Sequence, residues 1–508
     1  MPTAGWWALV LVAFPALATG LPFTDRASSR PAVETIPFVK RTRLKLAKRD
    51  HEDAAIPNGA IGLGDRDDVF YTVSVTIGDT TTPLNIDTGS SDLWVITPEC
   101  DTEECDMSSA PRYDIPEEKY LQTGRTTVDL RYGDSLTGSY ARGLVVRDTV
   151  TLAGLTMENQ TFAAVDDTDN YAITNGAAGV LGLGFPAQGF VQSAALIAEL
   201  GATFDIDAFV EQIDKAGPIV PRLVTSGAIQ EPLFAITLQR DTIDVSGKGQ
   251  LTIGRLPEGV DNSSITWVPV RLYSSDEGGL SPPSFAPSEV YPLRWEVEID
   301  GVFLDGEKLP DTRQQADGIS TPSLSTLIDS GNSLIRGPSD VVNTILSQVS
   351  PAFASDPSAP PRLPCSTTHT LAFQIGGKMF PVDPRDFVAQ VSPGDASECV
   401  ADNVVGTDAP SAGALFSWVL GDPFLKSNMI VFYYGNLTHP SVDPPRVGFV
   451  SLVPPNAADL LHDAVERAWS ADGNFGCEFD VLDGGRRRTD AWMCSNIGAS
   501  TDFWRYSR

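Results

Sequence analysis

Two carboxylates stand in matched settings: Asp87 in Ile86-Asp87-Thr88-Gly89-Ser90-Ser91, and Asp329 in Ile328-Asp329-Ser330-Gly331-Asn332-Ser333. Each follows an apolar stretch of strand character and precedes a glycine that lets the backbone turn tightly beside the acid. The hydroxyl and amide side chains next to each acid can hydrogen-bond it and fix its orientation. Two such loops facing each other would bring two carboxyls into contact. Like charges that close cannot both ionise cheaply, so the pair would share one proton. One member could then take a proton from water while the other gives one to a carbonyl oxygen, which is acid–base hydrolysis. A single Asp-Thr-Gly is only a turn; two copies with matched surroundings favour a paired site.

The surroundings do recur. Gly182 in Val180-Leu181-Gly182 lies 95 residues after Asp87, and Gly421 in Val419-Leu420-Gly421 lies 92 residues after Asp329. Near-equal spacing suggests two lobes built on one plan. Val69 to Ile77 is rich in β-branched and aromatic residues and ends at Gly78-Asp79, a strand signal. Short strands punctuated by Gly, Pro, Asp and Ser continue to about residue 450. Helical periodicity is scarce, with 191–200 and 338–349 the better candidates. This is an all-β pattern. The Pro-, Ser- and Gly-rich stretches 272–290 and 351–364 read as loops. Residues 454–508 form a C-terminal extension with its own Cys pair, either a small disulfide-bonded appendage or a piece removed on maturation, in which 457–469 could form a short helix although its apolar period is incomplete.

Taken together, these motifs resemble the pepsin family of aspartic endopeptidases, most closely its fungal secreted members. Asp87 to Val95 resembles the family's first catalytic loop and Ile328 to Pro338 its second. Trp418 to Leu425 and Arg446 to Val450 resemble its closing strands. The resemblance covers about residues 65 to 453. It implies a bilobed all-β fold with two homologous β-barrel-like lobes, 65–240 and 241–453, and the active site in the cleft between them. By the same resemblance Asp87 and Asp329 activate the attacking water, Thr88 and Ser330 brace the loops that turn at Gly89 and Gly331, and Ser90 hydrogen-bonds Asp87. Tyr132, in Tyr132-Gly133-Asp134-Ser135, matches the tyrosine of a mobile flap, with Trp94 as its hydrogen-bond partner. The implied substrates are extended protein or peptide segments, cleaved between bulky apolar residues at acidic pH, by a monomer that needs no cofactor. Three positions depart from the pattern. Asn332 stands where Thr or Ser is usual, which alters the hydrogen bond to Asp329. Ser330 replaces the commoner Thr, and Ser135 replaces a frequent Gly in a slightly shortened flap.

The chain has 508 residues, enough for two or three domains. Its net charge of −30 argues against a nucleic-acid partner and fits work or storage at low pH. Residues 1–20 read as a secretory signal with an apolar run from Trp6 to Leu17, too short to span a membrane. No later stretch is apolar enough for a transmembrane segment. Residues 21–49 carry eight Lys or Arg and two acids, leaving 28 of the 36 basic and 64 of the 66 acidic residues to the body. This basic propeptide, ending at the dibasic Lys48-Arg49 (Lys40-Arg41 is a second candidate), would clamp an acidic body as an inhibitor and loosen on acidification. The family resemblance adds that Lys45 or Lys48 could pair with the two acids.

Six cysteines after a secretory signal suggest three disulfides among 15 connectivities, and sequence order favours Cys100–Cys105, Cys365–Cys399 and Cys477–Cys494. The first two also match the family's. The four His, at 51, 369, 439 and 462, do not pair with Cys at metal-site spacing, so no metal is expected. Asn159, Asn262 and Asn436 open glycosylation tripeptides. The expected location is extracellular, with the vacuole as the alternative. The competing function is a binding protein on the same fold that has lost catalysis. A serine or metal hydrolase would need a base His near a nucleophile or a His-Glu-x-x-His pattern, and neither is present.

Overall fold

Apolar alternation and β-branched residues shape two lobes that repeat one strand arrangement. The computed structural model describes residues 70–475, except 117–118, 120–124, 136, 202–203, 241–242, 245–248, 317–323 and 393, plus the backbone of 35–37, 39–40, 481–483 and 486–488. The signal segment, Lys45, Lys48, Arg49, His51, Cys477 and Cys494 lie outside the described residues.

In the first lobe the strand order is Tyr71–Ile77, Thr80–Asp87, Gly179–Gly182, Leu93–Ile96 and Leu155–Thr168, then Ser139–Leu152 and Thr127–Tyr132. Strand Ser139–Leu152 also pairs back onto Tyr71–Ile77, which closes the sheet. In the second lobe the order is Glu296–Glu298, Ser325–Ile328, Trp418–Leu420, Ile335–Pro338 and Val404–Thr407. The first five strands of each lobe share one alternation, antiparallel, parallel, antiparallel, parallel. The register repeats as well: Ile86 faces Leu181 as Ile328 faces Leu420. The central strands are buried on both faces, as in Leu93–Ile96, where all four side chains are inside, so they read as apolar runs rather than alternations.

A six-stranded sheet joins the halves. It contains Leu233–Thr237, Gln250–Ile253, Thr266–Pro269, Asn428–Tyr433 and Arg446–Ser451. Its edge is strand Thr35–Pro37 of the basic leader, and Val39–Lys40 of the same leader pairs with Tyr71 and Thr72 of the first lobe. An aromatic cluster pins the three parts together. Trp295 of the second lobe lies 4.1 Å from Phe185 of the first and 4.9 Å from Tyr434, the residue after strand Asn428–Tyr433 of the joining sheet, centroid to centroid. Trp295 Nε1 and Tyr434 Oη both donate to Leu183 O, at 2.9 and 2.7 Å, so the polar ends of these buried rings are satisfied.

Helices are more numerous than the sequence pattern predicts. The expected pair forms at Phe190–Leu200 and Ser339–Val349. Short helices at Ile206–Glu211, Ile213–Ala216 and Ile219–Thr225 have no counterpart in the sequence reading, because four to seven residues are too few to display a 3.6-residue period. Residues 351–364 are not simply a loop. Ser350 caps a helix at Pro351–Ser355 by accepting from Phe353 N, and Arg362–Pro364 is a strand. A Ser followed by Pro is a helix-start signal that was legible. The extension begins with a helix at Ala457–Ser470, whose Ala457, Leu461, Ala464, Val465 and Ala468 are buried. Alanines complete the stripe that had looked interrupted, and Leu461 and Val465 join the main core. No helix among the described residues is long and apolar enough to cross a membrane.

Among the described residues two disulfides are formed, Cys100–Cys105 and Cys365–Cys399, with Cα separations of 5.9 and 4.8 Å.

Candidate active site

Asp87 ends strand Thr80–Asp87 and Asp329 follows strand Ser325–Ile328, at equivalent places in the two lobes. Their loops interlock. Thr88 Oγ1 donates to Ile328 O at 2.8 Å and accepts from Ser330 N at 2.9 Å. In return Ser330 Oγ donates to Ile86 O at 3.0 Å and accepts from Thr88 N at 3.2 Å. Each hydroxyl thus spans from its own loop to the backbone of the other lobe, and all four bonds are buried. This clasp sets the separation of the two acids.

The glycines show how close the loops come. A Cβ on Gly89 would sit 2.6 Å from the carboxyl of Asp329, and one on Gly331 would sit 2.7 Å from Cγ of Asp87. Any side chain at either place would occupy the space of the opposite carboxylate. The two acids hydrogen-bond each other, and both are pushed above the ordinary carboxyl range, first by burial. They are not equivalent. Asp87 accepts from Gly89 N at 2.8 Å and from the Ser90 hydroxyl, which favour its ionised form. Asp329 accepts from Gly331 N at 2.9 Å and feels the charge of Asp87, which raises it further. These surroundings favour the ionised form at Asp87 and the protonated form at Asp329.

Asn332 does not take the role of Ser90. Its Nδ2 donates to Leu334 O at 2.5 Å and its Oδ1 accepts from Arg336 Nε at 2.9 Å. The residues expected of the flap lie on the hairpin of Thr127–Tyr132 with Ser139–Leu152. Trp94 Nε1 donates to Tyr132 Oη at 2.8 Å, the pairing expected from the family resemblance. Gly133 adopts φ +79° with Thr137 O against its α-carbon face, so the flap turn needs a glycine there. Asp134 closes that turn by accepting from Thr137 N at 2.8 Å.

Other residues come to the site without any signal in the local sequence. Asp92 is buried beside the first loop and pushed up to about 7 by that burial, although it accepts from Phe190 N and Val191 N at the start of a helix. Arg294 lies opposite Asp329 when the Glu296–Leu327 register is continued two rungs. Its Nε donates to Gly413 O at 3.1 Å, and its positive charge pulls Asp329 back down. Tyr171 Oη donates to Gly331 O at 3.1 Å across the lobes. Asn159, Asn262 and Asn436 are all exposed.

The eukaryotic aspartyl protease family model matches residues 70–439. The chain is 25% identical over 435 residues to an aspartic protease of Phaffia rhodozyma, covering 83% of this chain and 87% of that one. It is 26% identical over 428 residues to major aspartyl peptidase 1 of Cryptococcus neoformans var. grubii, covering 81% of this chain and 74% of that one. Against pepsin A of Sus scrofa it is 25% identical over 405 residues, covering 77% and 87%. With the match running from the first strand of the first lobe past the last catalytic-loop contacts of the second, the chain belongs to the eukaryotic aspartyl protease family.

Proposed function

We propose that this protein is an aspartic endopeptidase that hydrolyses internal bonds of extended protein or peptide segments at acidic pH. Asp87 is the base that takes a proton from the attacking water, and Asp329 is the acid that gives its proton to the carbonyl oxygen. The shared-proton logic is that described for aspartic proteases generally. The observation that carries it is the reciprocal fit of Gly89 against Asp329 and Gly331 against Asp87. Asp329 is half-buried, so water and substrate can reach the pair from the cleft. Bulky apolar residues flanking the bond are the expected preference.

The same reading makes the chain a secreted zymogen. Residues 1–20 are its signal, 21–49 its inhibitory propeptide, and 65–240 and 241–453 its lobes. The leader's two paired strands support the propeptide role, because a segment built into both sheets can be held over the cleft until it is cut. The exposed Asn159, Asn262 and Asn436 are its glycosylation sites, and Cys477–Cys494 its third disulfide. The helix at 457–470 makes the start of the extension part of the folded body.

The test is cleavage of denatured haemoglobin or casein by acid-activated protein, from strongly acidic to neutral pH, with and without pepstatin. Acid-optimal, pepstatin-sensitive cleavage is expected. A correctly processed protein that cleaves nothing at any pH would instead make the cleft a binding site.

A further inference from the structure

Strands Leu93–Ile96 and Ile335–Pro338 occupy the same place in the two lobes, so Trp94, facing Val180, corresponds to Arg336, facing Val419. Both residues reach the same flap. Trp94 holds Tyr132 from within the first lobe. Arg336 crosses the cleft from the second: its Nη1 donates to Asp134 Oδ2 at 2.8 Å while its Nε donates to Asn332 Oδ1 at 2.9 Å. One residue further along the flap, Ser135 N and Oγ donate to the two carboxylate oxygens of Asp408, at 2.9 and 2.7 Å. Charge therefore crosses the cleft in both senses, with a flap carboxylate bound by the second lobe and a flap backbone amide bound to a second-lobe carboxylate. The Asp134 and Arg336 side chains are only 13% and 18% exposed. That limits screening and sets this charge-assisted pair apart from ordinary surface ion pairs.

We infer that Arg336 is a positioning residue that latches the closed flap to the loop carrying Asp329. Asn332 sits three residues after Asp329, and its amide is spent on Leu334 O and on Arg336. The guanidinium thus bridges the flap turn and the second catalytic loop, so flap closure and the setting of that loop occur together. The replacement of the usual hydroxyl at 332 by an amide has a physical reason in this arrangement. The amide makes these two bonds from two separate atoms, Oδ1 accepting from Arg336 and Nδ2 donating to Leu334 O, whereas a hydroxyl would have to make both from one oxygen. Arg336 acts through Asp134 and Asn332, and need not touch substrate. The latch stands in the substrate-free molecule, so it must open to admit substrate and re-form over it before the closed complex reacts.

This inference rests on the assignment of Asp87 and Asp329 proposed above, and its test separates the two. The variants are Arg336→Met, Asp134→Asn, the double variant, and the swapped pair Asp134→Arg with Arg336→Asp. Asp134→Asn keeps an oxygen for Thr137, so the flap turn survives. Hydrogen exchange of residues 127–140 in the intact, processed chain needs no catalysis. About tenfold faster exchange is expected in each single variant, no further rise in the double, and partial recovery in the swapped pair, with strand 71–77 unchanged in all. Kinetics on a peptide substrate, at the upper end of the active pH range, should show kcat lowered about tenfold with KM within about twofold. Unchanged flap exchange in both single variants, or effects that simply add in the double, overturns the latch. Faster flap exchange with unchanged kcat overturns the positioning role. A wild-type protein that cleaves nothing defeats the assignment of the two acids, while the exchange measurements still decide the latch.

Discussion

The two lobes hold their acids on the same five-strand plan and in the same register, yet they treat them differently. The first lobe gives Asp87 a hydroxyl donor in Ser90 and places the apolar Phe70 opposite it when the Thr72–Asn85 register is continued two rungs. The second lobe gives Asp329 no such hydroxyl at 332 and places Arg294 opposite it. On the next strand, Trp94 in the first lobe becomes Arg336 in the second. A symmetric scaffold fixes where two carboxylates meet. In the proposed mechanism the asymmetric residues around them decide which one keeps the proton. A pair with identical surroundings would divide the proton evenly and would have no preferred acid.

The comparison can be broken first at the acids. Asp87→Asn and Asp329→Asn should each lower kcat/KM at least about a thousandfold, because neither half of the proton exchange works alone. Assays of both purified variants check this. The clasp comes next. Thr88→Val keeps the shape but leaves Ser330 N and Ile328 O without their buried partner. Urea unfolding should show a loss of about 2 kcal/mol, and Ser330→Ala should behave similarly if the lobes are equivalent braces.

A third prediction concerns stability and pH. Asp87, Asp92, Glu296 and Asp329 are all raised by burial, Asp92 to about 7. A raised carboxyl stabilises the folded state fully below its unfolded pKa of about 4, and that stability is lost as pH rises through the folded value. The processed protein should therefore melt at a lower temperature at pH 8 than at pH 5. Asp92→Asn should narrow that gap, as thermal melts across this range would reveal.

The smallest effect sharpens the asymmetry. Arg294 lowers Asp329, so Arg294→Leu should move the alkaline limb of the kcat/KM profile upward by a fraction of a pH unit. No movement, or a downward one, would remove Arg294 from the account.

Much of this arrangement was legible in the sequence because it is local. Asp-Thr-Gly and Asp-Ser-Gly carry their turn and their hydroxyl within three residues, and the strands before them are short apolar runs. The matched downstream segments turned out to be the parallel partners of the catalytic strands. What stayed hidden depends on long-range pairing. Asp134 and Arg336 are 202 residues apart, and Ser135 and Asp408 are 273 apart. Asp134 and Ser135 registered only as part of the flap motif, and nothing local marks Arg336 or Asp408 as their partners, since a charged residue in a turn is ordinarily solvated. Asn332 registered as a departure, but its reason lay on a flap that only folding brings near. The extension's helix was legible at 457–469 despite its incomplete apolar period, because the gaps in the stripe are alanines that fill the seam of a closely packed helix.

The central claim is that two raised carboxyls share one proton, held by Asp329. The pH profile of kcat/KM for the processed wild-type protein tests it most directly. A bell is predicted with both limbs above the ordinary carboxyl range, rising as Asp87 ionises and falling at higher pH as Asp329 gives up its proton. A profile with a single limb, or one whose alkaline limb lies at an ordinary carboxyl pKa of about 4, would contradict it.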